Sequence, residues 1–112
     1  MICNIARSLA GGGGVVIGSY TGNDATSGDG VHPTRDISLD ITPSAIILFR
    51  LSEGNRSTNA GTPVIMNGDT YVYNGARAEL NGNTLTVGGY QTIDGYTGFN
   101  KNGVKYNYIA FT

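Results

Sequence analysis

From Val15 onward the chain alternates between apolar and polar positions in short runs separated by turn residues. The clearest run is Arg35 to Ile41, where Ile37, Leu39 and Ile41 fall on one face and Asp36, Ser38 and Asp40 on the other, the signature of a half-buried strand. After Pro43, Ala45 to Phe49 is continuously apolar and rich in Ile, which predicts a central strand covered on both sides. Val15 to Tyr20 predicts a strand leading into an acidic, turn-rich loop from Thr21 to Pro33, and Pro63 restarts the sheet with Val64, Ile65 and Met66. Asn67-Gly68-Asp69 and Asn74-Gly75 bracket a strand at Thr70 to Tyr73. Arg77 to Leu80, Asn81-Gly82 and Asn83 to Val87 read as a hairpin, with Asn-Gly supplying the positive φ angles of a type I′ turn. Tyr96 to Phe99, a turn near Asn102-Gly103 and Val104 to Phe111 complete the pattern. The expected fold is an all-β antiparallel β-sandwich or jelly roll of about 7–8 strands.

The first residues differ. Ile2, Ile5 and Leu9 follow a short helical spacing and then meet Gly11 to Gly14, a run with little intrinsic structure. Residues 1–14 are therefore expected to form an N-terminal arm and glycine hinge, and residues 15–112 the sandwich domain. Ile2, Ile5 and Leu9 either complete the first edge of the core or dock on a neighbouring subunit.

Composition sharpens this picture. With 18 Gly and 7 Tyr, and with scarce Glu and Lys, the chain lacks the residues that cover helix surfaces. A length of 112 residues suits one core. The net charge of −1 and 13% charged residues provide no basic field, so nucleic acid is not an expected partner. Cys3 and His32 are the only Cys and His, which leaves no intrachain disulfide and no Cys/His metal set. No run approaches the ~20 apolar residues of a membrane-spanning helix, and the opening residues lack the order of a secretion signal; the expectation is a product of the cytoplasm with no membrane insertion.

Four phrases, in this order, resemble a β-sandwich domain recurring in bacteriophage tail, fibre and decoration proteins. They are Gly18-Ser19-Tyr20-Thr21-Gly22-Asn23, Ile37 to Ile47, Gly98-Phe99-Asn100-Lys101-Asn102-Gly103 and the closing Tyr106 to Phe111. The likeness runs from Gly18 to Thr112 and departs at the corner, where Asp40-Ile41 stands in place of Gly-Phe. It implies a non-enzymatic structural protein of the virion, made in the host cytoplasm. The short arm favours an accessory module mounted on capsid or tail, with other virion proteins as partners and homo-oligomers, trimers foremost, as its state. The alternative is a module that recognises host-surface carbohydrate.

Candidate chemistry is sparse. Asp24, Thr26 and Gly28 begin like a calcium-binding EF-hand loop, but Arg35 occupies the position that needs a bidentate Glu, so a solvated Asx-turn loop is expected and no metal. His32, before Pro33, has no local nucleophile to serve and is expected to be exposed. The carboxylates fall on polar strand faces or in turns, where they offer no catalytic pair, and no cofactor is expected. Tyrosines carry the remaining signal. Tyr71 and Tyr73 share a strand face, as do Tyr106 and Tyr108; these serve as packing, as a subunit interface or, near Tyr90 and Tyr96, as a sugar-stacking platform.

Overall fold

The computed structural model describes residues 14–50 and 61–112, so the expected arm, with Ile2, Ile5 and Leu9, lies outside the described residues. The described chain is all-β, with ten strands in two antiparallel sheets. In order they are β1 (Val15–Thr21), β2 (Gly30–Val31), β3 (Arg35–Ser38), β4 (Ala45–Phe49), β5 (Val64–Met66), β6 (Thr70–Tyr73), β7 (Ala76–Asn81), β8 (Thr84–Thr92), β9 (Gly95–Gly98) and β10 (Lys105–Phe111).

The first sheet runs β1-β10-β4-β5. Its inner face carries Tyr20, Tyr106, Ala110, Ile46, Leu48 and Ile65, all buried, because alternate residues of each strand point the same way. The second sheet is organised by β8, the longest strand. Its first half pairs with β7 and β3 and its second half with β9 and β2, while β6 extends the sheet beyond β7. Ala76, Ala78, Leu80, Leu85 and Val87 supply the facing core, joined by Leu39 and Phe99. Small Ala76 and Ala78 on β7 leave room for the large aromatic and aliphatic groups opposite, as close packing of two sheet faces requires.

Two tight turns show how local chemistry sets the register. Asn74 and Gly75, between the paired residues Tyr73 and Ala76, have φ of 48° and 86°, the two positive values of a type I′ turn. At the expected Asn81-Gly82 hairpin the closing pair is instead Asn81 with Thr84, so the central residues are Gly82 and Asn83. Only Gly82, at φ 63°, is positive there, which corrects the expected type I′ turn to one with Gly in the first central position, as in type II′.

Candidate functional site

The site is built where β2 meets β3. Val31 pairs with Tyr90 and Arg35 with Val87, so His32, Pro33 and Thr34 oppose only Gly88 and Gly89. One extra residue on the β2–β3 side makes a bulge, which bends the strand and re-aims its side chains. The opposing glycines fit this closely: a Cβ on Gly88 would sit 3.0 Å from Thr34 Cγ2, and one on Gly89 would sit 2.2 Å from the Tyr96 ring.

The bulge turns His32 inward. Its residue is 5% exposed, which corrects the expectation of a solvated loop histidine. Local sequence predicted exposure because Pro33 and a polar loop surround it; the partners come from further away. His32 Nδ1 lies 2.7 Å from Asp24 Oδ2, and Nε2 lies 2.8 Å from the Gly28 carbonyl oxygen. Both partners accept only, so both ring nitrogens must donate, and the imidazolium is the form that satisfies the site. The Gly28 carbonyl raises the His32 pKa above its ordinary value, burial opposes this, and the Asp24 carboxylate adds to the rise, with Asp29 nearby. For Asp24, burial pushes the pKa up, but hydrogen bonds from Thr26 and the bond and charge of His32 outweigh it and hold the pKa below the usual carboxylate value.

Asp24 also closes the expected Asx turn, its Oδ1 accepting the Thr26 N–H at 2.9 Å. The loop from Asp24 to Gly28 is thus clasped at both ends by one histidine. With both nitrogens engaged, His32 has no lone pair to offer a metal or a substrate proton. Among the described residues no group of three or more His, Cys, Asp or Glu side chains is placed to hold a metal ion.

On its other side the loop is tied to the segment after β9. Asn23 and Asn100 bond reciprocally: the Asn23 amide N–H donates to Asn100 Oδ1 at 3.1 Å, and Asn100 Nδ2 donates to Asn23 Oδ1 at 3.2 Å. The Tyr20 hydroxyl donates to the Phe99 carbonyl at 2.8 Å, while the Lys101 N–H donates to the Tyr106 hydroxyl oxygen at 2.9 Å. Tyr20 and Tyr106 stack with ring centroids 5.2 Å apart. Two of the quoted phrases, Gly18 to Asn23 and Gly98 to Gly103, therefore meet in space, which their separation in the chain did not disclose.

Arg35 completes the site. Its Nη1 donates to the Thr21 carbonyl at 2.7 Å and to Asn100 Oδ1 at 3.4 Å, and its guanidinium lies 5.6 Å from the Tyr20 ring centroid. Between the loop and the bulge lies an open cleft of about 300 Å³, bordered by Asn23, Asp24, Thr26, Thr34, Arg35 and Asn100.

The tyrosines separate into two groups. Tyr106 and Tyr96 are buried, at 0% and 3% exposure, so neither ring offers a surface to a glycan or a second subunit. Tyr71 packs edge-on against Phe99, and Tyr108 covers Gly18. Tyr73 is 48% exposed at the sheet edge. Tyr90, partly exposed, lies over Gly75, where a Cβ would come within 2.6 Å of it. Tyr90 and Tyr96 do not form one platform, because Tyr96 turns into the core. The Asp24–His32–Gly28 clasp and the Arg35 cleft were not legible as a site in the sequence; the one available hint was the Gly88-Gly89 pair inside an otherwise regular strand, a mark of a bulge or close approach. In comparisons with protein-family models, curated proteins and solved structures, nothing matches this chain.

Proposed function

We propose that this chain is a non-enzymatic structural module of a phage particle, an accessory domain that assembles with further copies of itself through the outer face of its first sheet. The observation that carries the assembly reading is the composition of that face. Val15, Phe111, Ala45 and Met66 align as one cross-strand row, and Ile17, Ile109, Ile47 and Val64 as the next. Both rows alternate with the buried inner residues and are wholly apolar across the sheet. Ile17, Val64 and Met66 are 57%, 65% and 54% exposed. An exposed contiguous apolar surface is a mark of an interaction site. Because neither row carries a charge, its occupant must be equally uncharged there, and the same face on another copy meets that condition. The trimer favoured by the resemblance would turn these faces towards a common axis.

The phage part of the reading rests on the four ordered phrases, and the non-catalytic part on the engagement of both His32 nitrogens. Attachment through Ile2, Ile5 and Leu9 belongs to the same proposal. Sedimentation velocity over a concentration series tests it. Wild-type protein is expected to form a discrete oligomer that Ile47→Lys or Ile109→Lys converts to folded monomer. A wild-type monomer at the highest concentration, or oligomers indifferent to both lysines, would overturn the assembly reading.

A further inference from the structure

The geometry points to the Arg35 cleft as a binding site for a small carboxylate ligand with neighbouring hydroxyls, the chemistry of an acidic sugar such as a uronate. Four features of the cleft lead there.

The first is the state of Arg35. Its Nη1 is committed to Thr21 and Asn100, but Nε and Nη2 have no acceptor among the described residues. These nitrogens are not among the buried atoms without partners, so they are accessible to solvent, and Arg35 is one of the residues that line the cleft. The Nε–Nη2 edge is the planar fork that receives a carboxylate through two parallel hydrogen bonds. Thr21, Asn100 and the Tyr20 ring anchor the guanidinium, so the fork is oriented before any ligand arrives.

The second is charge. Asp24 borders the same cleft and would repel an anion if it stood alone. Its side chain is 3% exposed and paired at 2.7 Å with His32, whose double donation makes it a cation. The acid is neutralised from within, and Arg35 sets the sign of the cleft. The same arrangement disfavours a metal cation, since each Asp24 oxygen already accepts a hydrogen bond.

The third is rigidity. Asn100 is 2% exposed and links Asn23 to Arg35 through its side-chain oxygen, so the floor of the cleft is a buried polar group with fixed partners. The fourth is the complement of hydroxyl partners. Thr26 and Thr34 stand on opposite walls, one on the clasped loop and one on the bulge, and Ala25 and Pro33 give the rim apolar contact for a ring face. A volume of about 300 Å³ is at the small end of ligand sites and suits one sugar ring.

Titration of the full chain with glucuronate, followed by amide NMR shifts, tests the assignment. Glucose, acetate and a short uronate oligomer serve as parallel probes. Glucuronate is expected to shift the amides of Thr26, Thr34 and Arg35 with millimolar affinity, glucose and acetate to bind at least about tenfold more weakly, since each lacks one half of the recognised chemistry. Binding of the oligomer as tightly as the monomer would identify a chain end or internal residue as the ligand, and preference for the monomer a free sugar. Arg35→Lys keeps the charge but loses the fork and is expected to weaken glucuronate about tenfold. Thr34→Val, at an exposed position, is expected to weaken it about threefold without altering thermal unfolding. Absence of shifts at about 50 mM glucuronate, equal response to acetate or glucose, or full binding by Arg35→Lys would each overturn the proposal.

Discussion

Asn67 and Gly82 hold each other by two hydrogen bonds: Asn67 Nδ2 donates to the Gly82 carbonyl at 2.8 Å, and the Gly82 N–H donates back to Asn67 Oδ1 at 3.0 Å. The second Nδ2 proton reaches the Pro43 carbonyl at 2.7 Å. One amide thereby joins the β5–β6 corner, the β7–β8 turn and the entry to β4. Asn67→Ala removes all three bonds and leaves partly buried main-chain groups without partners, at an expected cost of about 2–3 kcal/mol in urea unfolding. Asn67→Asp keeps the acceptor for Gly82 but sets a carboxylate against two carbonyls, so it should fare no better. A loss below about 0.5 kcal/mol in both would mean solvent replaces the amide freely.

Gly89 and Tyr96 form a second test of close approach. A Cβ at Gly89 would lie 2.2 Å from the ring end of Tyr96, and the ring is held in the core, so Gly89→Ala should destabilise by about 1–3 kcal/mol. Among the described residues the buried Tyr96 hydroxyl has no hydrogen-bond partner of ordinary geometry, and burial raises its pKa against a smaller lowering from the nearby Asn100 main chain. Tyr96→Phe should therefore be neutral or stabilising by up to about 1 kcal/mol, an outcome that a hidden partner for the hydroxyl would reverse.

At Gly22 the constraint is main chain against main chain. A Cβ there would stand 2.1 Å from the Lys101 carbonyl oxygen, and the Gly22 N–H and carbonyl are both bonded, to Val104 and Gly103. Gly22→Ala should separate the β1 end from the 99–104 segment, lowering the unfolding midpoint more than Gly89→Ala does, since no flexible side chain can yield.

The clasp predicts a stability maximum in mildly acidic solution. His32 has a raised folded pKa, so its contribution is fully present below its ordinary value of 6.5 and is lost as pH rises through the raised value. Asp24 has a lowered folded pKa, so its contribution is present above its ordinary 3.8 and is lost as pH falls through the lowered value. Urea midpoints should therefore peak between those two pH values and decline above neutrality. His32→Gln should flatten the alkaline decline; an unchanged slope in that variant would place its origin elsewhere.

The strands were legible where side-chain alternation decides them. β5 spans the expected Val64 to Met66, and β4 appears at Ala45 to Phe49 as expected, but it is buried on one face only. Ile46 and Leu48 point into the core, while Ala45, Ile47 and Phe49 are half-buried on the outer face, so an unbroken apolar run did not mean cover on both sides. β8 was underestimated because Gly88-Gly89 interrupts the apolar pattern at Val87, whereas the strand runs on to Thr92. Glycine looked like an ending and served instead to admit Tyr96 and the bulge. Likewise, the two-residue β2 hides in a loop of Gly, Asp and Ser. The site was least legible of all. His32 finds Asp24 eight residues back across a turn, and Arg35 meets Asn100 through a sheet contact that no local spacing encodes.

The pairing of Val15 with Phe111, with the Thr112 N–H donating to the Gly14 carbonyl at 2.9 Å, brings the two ends of the described sandwich side by side. Polypeptide joined before Gly14 and polypeptide joined after Thr112 therefore leave at one point, about a strand spacing of ~4.8 Å apart. The sandwich is geometrically suited to be spliced into a surface loop of a host protein without stretching that loop. By the same geometry, a short linker from Thr112 to Gly14 would close a circular permutant opened at the β8–β9 turn, where Ile93 is 93% exposed. Such a permutant interrupts no strand and keeps every ladder of both sheets.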